Sequence, residues 1–383
     1  MLGIRAANVI EEGRFGGPQA QILGVAERIK VEGIDTVVIC PEQESERFYA
    51  EAVKRKVAIR RVPMHRLSRS PRAIFRYFIT FPKEVYSLYK LLKKENIDIV
   101  HCNNARQFKG VVAGRLAGKK VIWHLQDTWN PFIIRILFIF SSLFVDHFIA
   151  AGERAREYYL GRFPLKRKPV KIIQAPVDTS VFDPDLIFAD QRIASSPGVK
   201  VVSVGNINPA KGYQYFIDAA RYFNQKNGDA SFWIVGPLFD SQQLYYNMLS
   251  QLAQELNVRN LHFYGSSDNV RAVLKAADIY VCSSIHEASP ISVWEAMSMG
   301  KAVVSTDVGD IRDFITDGEN GFIIPAGNAY QLAEKVKILA EQPELRIEFG
   351  KRARAIAINK LDLKITVRKH LEVYKTILDK VGG

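Results

Sequence analysis

The sequence predicts an α/β protein of two doubly wound domains, each a parallel sheet with helices on both faces. Three observations carry that expectation. The chain has 383 residues, more than a single hydrophobic core usually organises. Short β-branched runs alternate with longer amphipathic segments along nearly all of it, the rhythm of βαβ units. Between the halves, DPDLIFADQRIASSPGV (183–199) mixes Asp, Ser, Pro and Gly without clear periodicity and reads as a linker. With 48% hydrophobic and 24% charged residues, the composition is that of an ordinary globular protein and excludes a disordered chain, a collagen-like fibre or a multispanning membrane protein.

In the first half the strand-like runs are TVVIC (36–40), VAIRRV (57–62), DIVHC (98–102), KVIWHL (120–125), HFIAA (147–151) and VKIIQ (170–174), with helical patterns such as 19–30 and 73–94 between them. The second half keeps the beat more regularly: VKVVSVG (199–205), SFWIVG (231–236), NLHFYG (260–265), DIYVCSS (278–284), KAVVST (301–306) and GFIIPA (321–326), with helices expected over 213–224, 242–256 and 291–299. We place an N-terminal domain at 1–185 and a C-terminal domain at 186–361, with a last helix, 362–383, available to pack back on the first. Two such domains would face each other across a cleft, and ligands of such sheets bind beyond the carboxyl ends of the strands.

Cys40, Cys102 and Cys282 each sit in or at the end of an apolar strand-like run, which points to a reducing compartment and against a disulfide scaffold. Met1 to Ile10 lacks a long apolar region and is followed at once by Glu11, Glu12 and Arg14, so no targeting segment is expected. The apolar run 131–145 contains Arg135 and is too short to cross a bilayer; a buried helix or an interfacial segment fits.

The net charge is +13, and its placement says more than its size. Residues 1–190 hold 31 Lys+Arg against 20 Asp+Glu, and 191–383 hold 22 against 20. Within 54–120 the count is 18 against 3. Such asymmetry suggests a polyanionic partner. Lys54, Arg55, Lys56, Arg60, Arg61, Arg66, Arg69, Arg72 and Arg76 are followed by Phe75, Tyr77, Phe78, Phe81, Tyr86 and Tyr89. Basic and aromatic residues together fit a surface lying on anionic lipid headgroups. A plain solvated face is the alternative, and single-stranded nucleic acid ranks last.

The sharpest constellation is Glu287-Ala-Ser-Pro-Ile-Ser-Val-Trp-Glu295, directly after the strand DIYVCSS. Ser289 is a good N-cap and Pro290 suits the first helical position, so a helix is expected from there to Met299, ended by Gly300. The free N–H groups of Ile291, Ser292 and Val293 would then face a phosphate. Glu287 and Glu295 would flank that site as acceptors for sugar hydroxyls. No Cys-x-x-Cys occurs and the seven histidines are scattered, so no metal site stands out. The lack of a G-x-S-x-G, a P-loop or a clear G-x-G-x-x-G argues against hydrolase, ATPase and dinucleotide oxidoreductase readings.

The segment HEASPISVWEAMSMGKAVVSTDVGD resembles the signature of retaining glycosyltransferases of family four, which have the two-domain GT-B fold. Glu287, Pro290, Glu295, Ala296, Met297, Gly300, Val303, Val304 and Thr306 match its pattern. Val204 to Gly212 is similar to the family's V-G-R-x-x-P-x-K-G loop, and Gly265, Ala277-Asp278 and DGENGFIIPAGN (317–328) resemble further elements. Weaker likenesses are Gly16-Gly17, His124-Leu-Gln-Asp127 and Val177-Asp178.

The resemblance implies that Glu295 binds the donor's ribose, Glu287 contacts the donor sugar, and Lys211 neutralises the leaving diphosphate. Gly16 and Gly17 would approach the same diphosphate, and His124 or Gln126 would face the donor sugar. Where the family carries arginine this chain has Asn206, leaving Arg14 or another basic residue to substitute; Ala288 and Asp310 stand where glycines are common.

The expected function is therefore retaining, metal-independent transfer of a sugar from a nucleotide-diphosphate donor (UDP- or GDP-sugar) to a hydroxyl of a glycan or lipid-linked acceptor, in polysaccharide or glycolipid synthesis. No cofactor is expected beyond that co-substrate, and the site would be the cytoplasmic face of a membrane. A nucleotide-sugar epimerase on the same fold and a noncatalytic sugar-nucleotide-binding protein are the alternatives.

Overall fold

A computed structural model describes residues 3–67, 70–162, 164–226 and 228–379. The chain divides into two compact units, one running to Ala175 and resuming at Leu363, the other spanning Pro176–Asp362.

The first unit holds strands β1 (Ile4–Val9), β2 (Ile34–Pro41), β3 (Ala58–Val62), β4 (Ile99–Asn103), β5 (Lys120–Leu125), β6 (His147–Ala150) and β7 (Val170–Ile172). Its helices are α1 (Gly17–Ile29), α2 (Glu46–Lys54), α3 (Pro71–Lys94), α4 (Phe108–Leu116), α5 (Phe132–Ser141) and α6 (Glu153–Leu160). The sheet is parallel with the order β3-β2-β1-β4-β5-β6-β7. All-parallel sheets need both faces covered. One face packs under α3, α4, α5 and α6 through Tyr77, Leu88, Phe108, Phe138 and Tyr159. The other lies under α1 and α2, and under a helix from the far end of the chain introduced below.

The second unit holds α7 (Gln191–Ala194), β8 (Val199–Val204), α8 (Tyr213–Gln225), β9 (Ala230–Val235), α9 (Gln243–Glu255), β10 (Leu261–Gly265), α10 (Val270–Ala276), β11 (Ile279–Cys282) and α11 (Ile291–Ser298). It continues with β12 (Ala302–Thr306), β13 (Phe322–Ile324), α12 (Ala329–Glu341) and α13 (Pro343–Ile356). Its parallel sheet runs β10-β9-β8-β11-β12-β13. In each sheet the strand order reverses once, between β1 and β4 in the first and between β8 and β11 in the second. That reversal parts the loops at the carboxyl ends and leaves room for a ligand.

The sequence boundary at 185/186 falls inside the second unit, which begins at Pro176. The stretch read as a linker is anchored there. Ile193 is fully buried against Val202, Trp233 and Val273, and Asp183 pairs with Arg354 at 3.0 Å. The chain then returns: Val177 bridges Asp362 at the rim of the second unit, and α14 (Leu363–Asp379) packs on the first. Residues 380–383 lie outside the described residues, as does Arg69 of the basic stretch.

Beneath α14 the sheet changes character along its strands. Ala6, Ile99 and Ile122 form an apolar bed for Leu363, Val367 and Leu371. Two residues further along, on the same side of the pleat, the strands carry Asn8, His101 and His124, all buried. The core therefore turns polar toward its carboxyl edge.

Part of the basic excess is taken up by internal acids, with Lys109 buried and Arg60 and Arg66 paired at the surface. Lys109 on α4 is 0% exposed; its ammonium lies 2.6 Å from Glu84 and 3.7 Å from the centroid of the Tyr77 ring. Arg60 pairs with Glu95 at 2.7 Å and Arg66 with Glu12 at 2.5 Å. Burial opposes charge on Glu84, but hydrogen bonds from Lys109, His65 and Thr80 outweigh it and hold its carboxyl below the ordinary range. Removing one partner of such a pair strands the other charge. Lys109→Met is expected to lower unfolding free energy by about 3–5 kcal/mol by denaturant titration. Because Glu84 is depressed in the folded state, its contribution is present above the unfolded pKa and disappears as pH falls through the folded one.

Candidate functional site

At the carboxyl edge of the second sheet, the loop after β8 and the loop after β11 dock on each other. Pro209–Lys211 forms a single 3₁₀ turn, with the Asn208 side chain accepting from the Ala210 amide at 3.0 Å. The turn ends at Gly212, whose φ of +62° is left-handed and whose position leaves no room for a side chain: a Cβ would lie 2.2 Å from the Ser283 carbonyl oxygen. That contact is reinforced where Ser283 Oγ donates to the Lys211 carbonyl at 2.9 Å and the Ile285 amide to the Ala210 carbonyl at 2.7 Å.

The docking fixes Lys211. Its stem crosses Gly205, where a Cβ would lie 2.8 Å from Lys211 Cε. Its ammonium reaches Glu287 Oε1 at 2.7 Å, and the same oxygen accepts from Ser284 Oγ at 2.8 Å. The two side chains are 23% and 16% exposed, so the pair is shielded yet reachable. Burial works against the Lys211 charge, but Glu287 outweighs it and raises its pKa, so the ammonium persists at neutral pH.

The glutamate loop is braced from behind. Ser289 Oγ lies 2.9 Å from Asp310 Oδ2 and accepts from the Trp294 indole at 3.1 Å. Asp310 is buried, its other oxygen has no partner, and burial raises its pKa well above the carboxylate range. Beside it, Gly309 has φ +54° and sits where a Cβ would be 2.5 Å from the Ala288 carbonyl.

This arrangement corrects two sequence expectations. The N-cap of α11 is Pro290, without a side-chain cap, because the Ser289 hydroxyl is held by Asp310 and Trp294. The Val293 amide is occupied by the Pro290 carbonyl at 2.9 Å, leaving those of Ile291 and Ser292 at the helix start. Ser292 Oγ in turn accepts from Tyr280 at 2.7 Å. Glu295 lies inside the helix, half-buried. Burial lifts its pKa to about 8 against the pull of Lys211. Asn206 is exposed beside the loop, and Gly265 ends β10 with φ +87°.

In the first unit Gly16 and Gly17 open α1, Gly16 in extended backbone that any residue could adopt. Arg14, left open as a substitute cation, is tied to Glu12 at 2.8 Å. His124 is buried, with Nδ1 3.2 Å from His101 Nε2 and 3.5 Å from Gln126 Nε2, while Gln126 itself is half-buried. Glu11, which sequence reasoning passed over, is half-buried just beyond β1; desolvation lifts its pKa to about 8, with Lys109 as the main opposing charge.

Both parts of the chain match glycosyltransferase profiles. "Glycosyltransferase Family 4" matches residues 15–181 and "Glycosyl transferases group 1" residues 188–356. The chain belongs to glycosyltransferase family 4. An Escherichia coli relative, UDP-Gal:alpha-D-GlcNAc-diphosphoundecaprenol alpha-1,3-galactosyltransferase, is 26% identical over 309 residues, covering 76% of this chain and 79% of the relative. A Campylobacter jejuni relative, N,N'-diacetylbacillosaminyl-diphospho-undecaprenol alpha-1,3-N-acetylgalactosaminyltransferase, is 25% identical over 323 residues, 78% of this chain and 82% of its own. Among solved structures, a glycosyltransferase from Rickettsia africae superposes with a TM-score of 0.82 at 20% identity over 99% of both chains. Anabaena HepE in complex with UDP gives 0.79 at 18% identity, covering 97% of this chain and all of that one. These neighbours establish GT-B architecture for this member of the family.

The raised Glu295 has a signature in solution. An acid whose folded pKa exceeds its unfolded one costs stability progressively as pH rises between the two. Without ligand, the wild-type protein is expected to lose stability from about pH 4.5 to about 8, and Glu295→Gln to lose less over that window; denaturant titrations across pH would show equal slopes if Glu295 were unperturbed.

Proposed function

We propose that this chain is a retaining, metal-independent glycosyltransferase that moves a sugar from a UDP- or GDP-sugar to a hydroxyl on a lipid-linked or glycan acceptor. The observation that carries the reading is the Lys211–Glu287 pair, held between two docked loops next to Glu295 and the start of α11. Breaking a sugar–phosphate bond leaves negative charge on the nucleotide, and a preorganised ammonium stabilises it as it develops. The amides of Ile291 and Ser292 supply further donors at the helix start. In this reading Lys211 exchanges Glu287 for the diphosphate, freeing a carboxylate to accept from sugar hydroxyls, and Glu295 accepts from the ribose. Gly16, Gly17 and His124 are further donor contacts, and Asn206, Gly265, Ser289 and Pro290 shape the loops around the donor.

The chemistry is a front-face displacement. The bond from the anomeric carbon to the phosphate oxygen breaks with its electron pair staying on the diphosphate. The acceptor oxygen bonds to the same face of the sugar, and its proton passes to the departing phosphate oxygen. Lys211→Ala should lower kcat by about 10²–10³-fold or more, the scale of losing one placed donor, whereas Asn206→Arg should leave transfer intact. The anomeric configuration of the product, read by NMR, checks retention. An inverted product, an active Lys211→Ala enzyme, or donor binding without turnover would each sink this mechanism.

The relatives named above act on diphosphoundecaprenol-linked acceptors, and the first unit carries a surface suited to a membrane. No described helix is long and apolar enough to cross one. Within the run 131–145, α5 buries only Ile134 and Phe138, while Phe132, Ile133, Ile139 and Phe140 are exposed. On the same face of the sheet, α3 exposes Phe75, Phe78 and Ile79 beside Arg72, Arg76 and Lys83. Apolar side chains rimmed by cations fit the headgroup boundary of an anionic bilayer, at about 1 kcal/mol per well-placed Lys or Arg. The protein should co-sediment with phosphatidylglycerol vesicles, less so with rising salt, and Phe75→Asp/Phe78→Asp should weaken binding. Absence of binding at low salt would remove the membrane contact without touching the reaction.

A further inference from the structure

We propose that His101, His124 and His370 form a binding site for one divalent transition-metal ion, zinc being the natural occupant, buried beneath α14 in the first unit. The three histidines are far apart in sequence. Strands β4 and β5 bring the first two side by side and α14 lays the third over them; their exposures are 1%, 8% and 5%. One ring nitrogen from each lies within 4.8 Å of the others.

The geometry fits three ligands of a tetrahedral ion. At metal–nitrogen distances of about 2.0–2.1 Å, two imidazole nitrogens lie about 3.3 Å apart and their ring centroids about 5 Å apart. His101 Nε2 and His124 Nδ1 are 3.2 Å apart. The centroid separations are 5.3 Å for His101–His124, 5.6 Å for His101–His370 and 6.0 Å for His124–His370. A modest inward swing of His370 completes the set.

The outer hydrogen bonds point the same way. A carbonyl can only accept, so the contact of His370 Nδ1 with the Thr366 carbonyl at 2.9 Å puts the proton on Nδ1 and leaves an Nε2 lone pair. His101 Nδ1 meets the Tyr374 hydroxyl at 2.8 Å, which turns its Nε2 toward the cluster. Ligating histidines are oriented in this manner, by a partner on the other ring nitrogen. Neutral imidazole is the state that binds metal. Gln126, whose side-chain amide approaches His124 Nδ1 at 3.5 Å, or a solvent molecule can take the fourth position. An all-imidazole set suits zinc, copper or nickel and is poor for magnesium or calcium. Buried under α14, such an ion would be structural; by holding His124 through Nδ1 it would also fix the orientation of a ring that the reading above counts among the donor contacts.

The test uses the full chain, stripped with a chelator and titrated with cobalt(II). One equivalent should produce the visible absorption of a tetrahedral cobalt–nitrogen site, and zinc should displace it. Zinc should also raise the melting temperature of the wild-type chain, by mass action on the folded state. His370→Gln and His101→Gln, checked for folding by circular dichroism, should lose the absorption and the zinc-dependent shift. A wild-type chain with neither cobalt absorption nor a zinc-dependent shift would overturn the proposal, as would unchanged binding in both variants. The wild-type titration decides the matter even if a variant fails to fold.

Discussion

The second unit's chemistry depends on one close approach: the Gly212 backbone lying against the Ser283 carbonyl. With any side chain at 212 the loop after β8 would be pushed off the loop after β11. Lys211 would then lose both its track over Gly205 and its carboxylate partner. The ion pair alone would not hold the loops together, because exposed or half-shielded pairs contribute little net stability. Backbone packing does the positioning, and the charges are placed by it. In the proposed reaction the cation leaves one anion for another, and this division of labour would let it do so without the loop collapsing.

The repeating rhythm of strands and helices was legible because both sheets are parallel and covered on both faces, which forces apolar runs at βαβ spacing. Glu287 and Glu295 stood out by their place around a helix start and Lys211 by the family resemblance of its loop, and the structure pairs Lys211 with Glu287. The error at Ser289 has a clear origin. A serine before proline and an apolar run is a good cap on local grounds, but Asp310 and Trp294 compete for its hydroxyl from positions that local sequence cannot connect to it. The departure at Asp310, visible only as a replaced glycine, turns out to brace the loop that carries Glu287. Likewise, the histidine cluster is assembled by topology from three scattered residues.

Counting charges along the chain showed where the excess lies but not which way it faces. Lys109 and Arg60 belong to internal or rim pairs, and residues 54–62 run from the end of α2 through a turn into β3, away from the exposed aromatics of α3. What the stretch contributes to a surface is therefore a smaller cationic set, joined by α5, a segment that carries only one charge. The membrane contact proposed for this domain rests as much on exposed apolar residues as on surplus lysine and arginine.

The path of the backbone at its far end bears on how the protein is made. The bed of Ala6, Ile99 and Ile122 is closed by Leu363, Val367 and Leu371, so the first unit awaits residues synthesised after the whole of the second. During translation the N-terminal sheet emerges with one apolar face incompletely covered, while Pro176–Asp362 can fold as a continuous segment. The later-made unit is thus positioned to mature first, and docking of α14 to be the closing step of assembly. A fragment that stops before Leu363 lacks the lid of its own core, however intact its sequence appears.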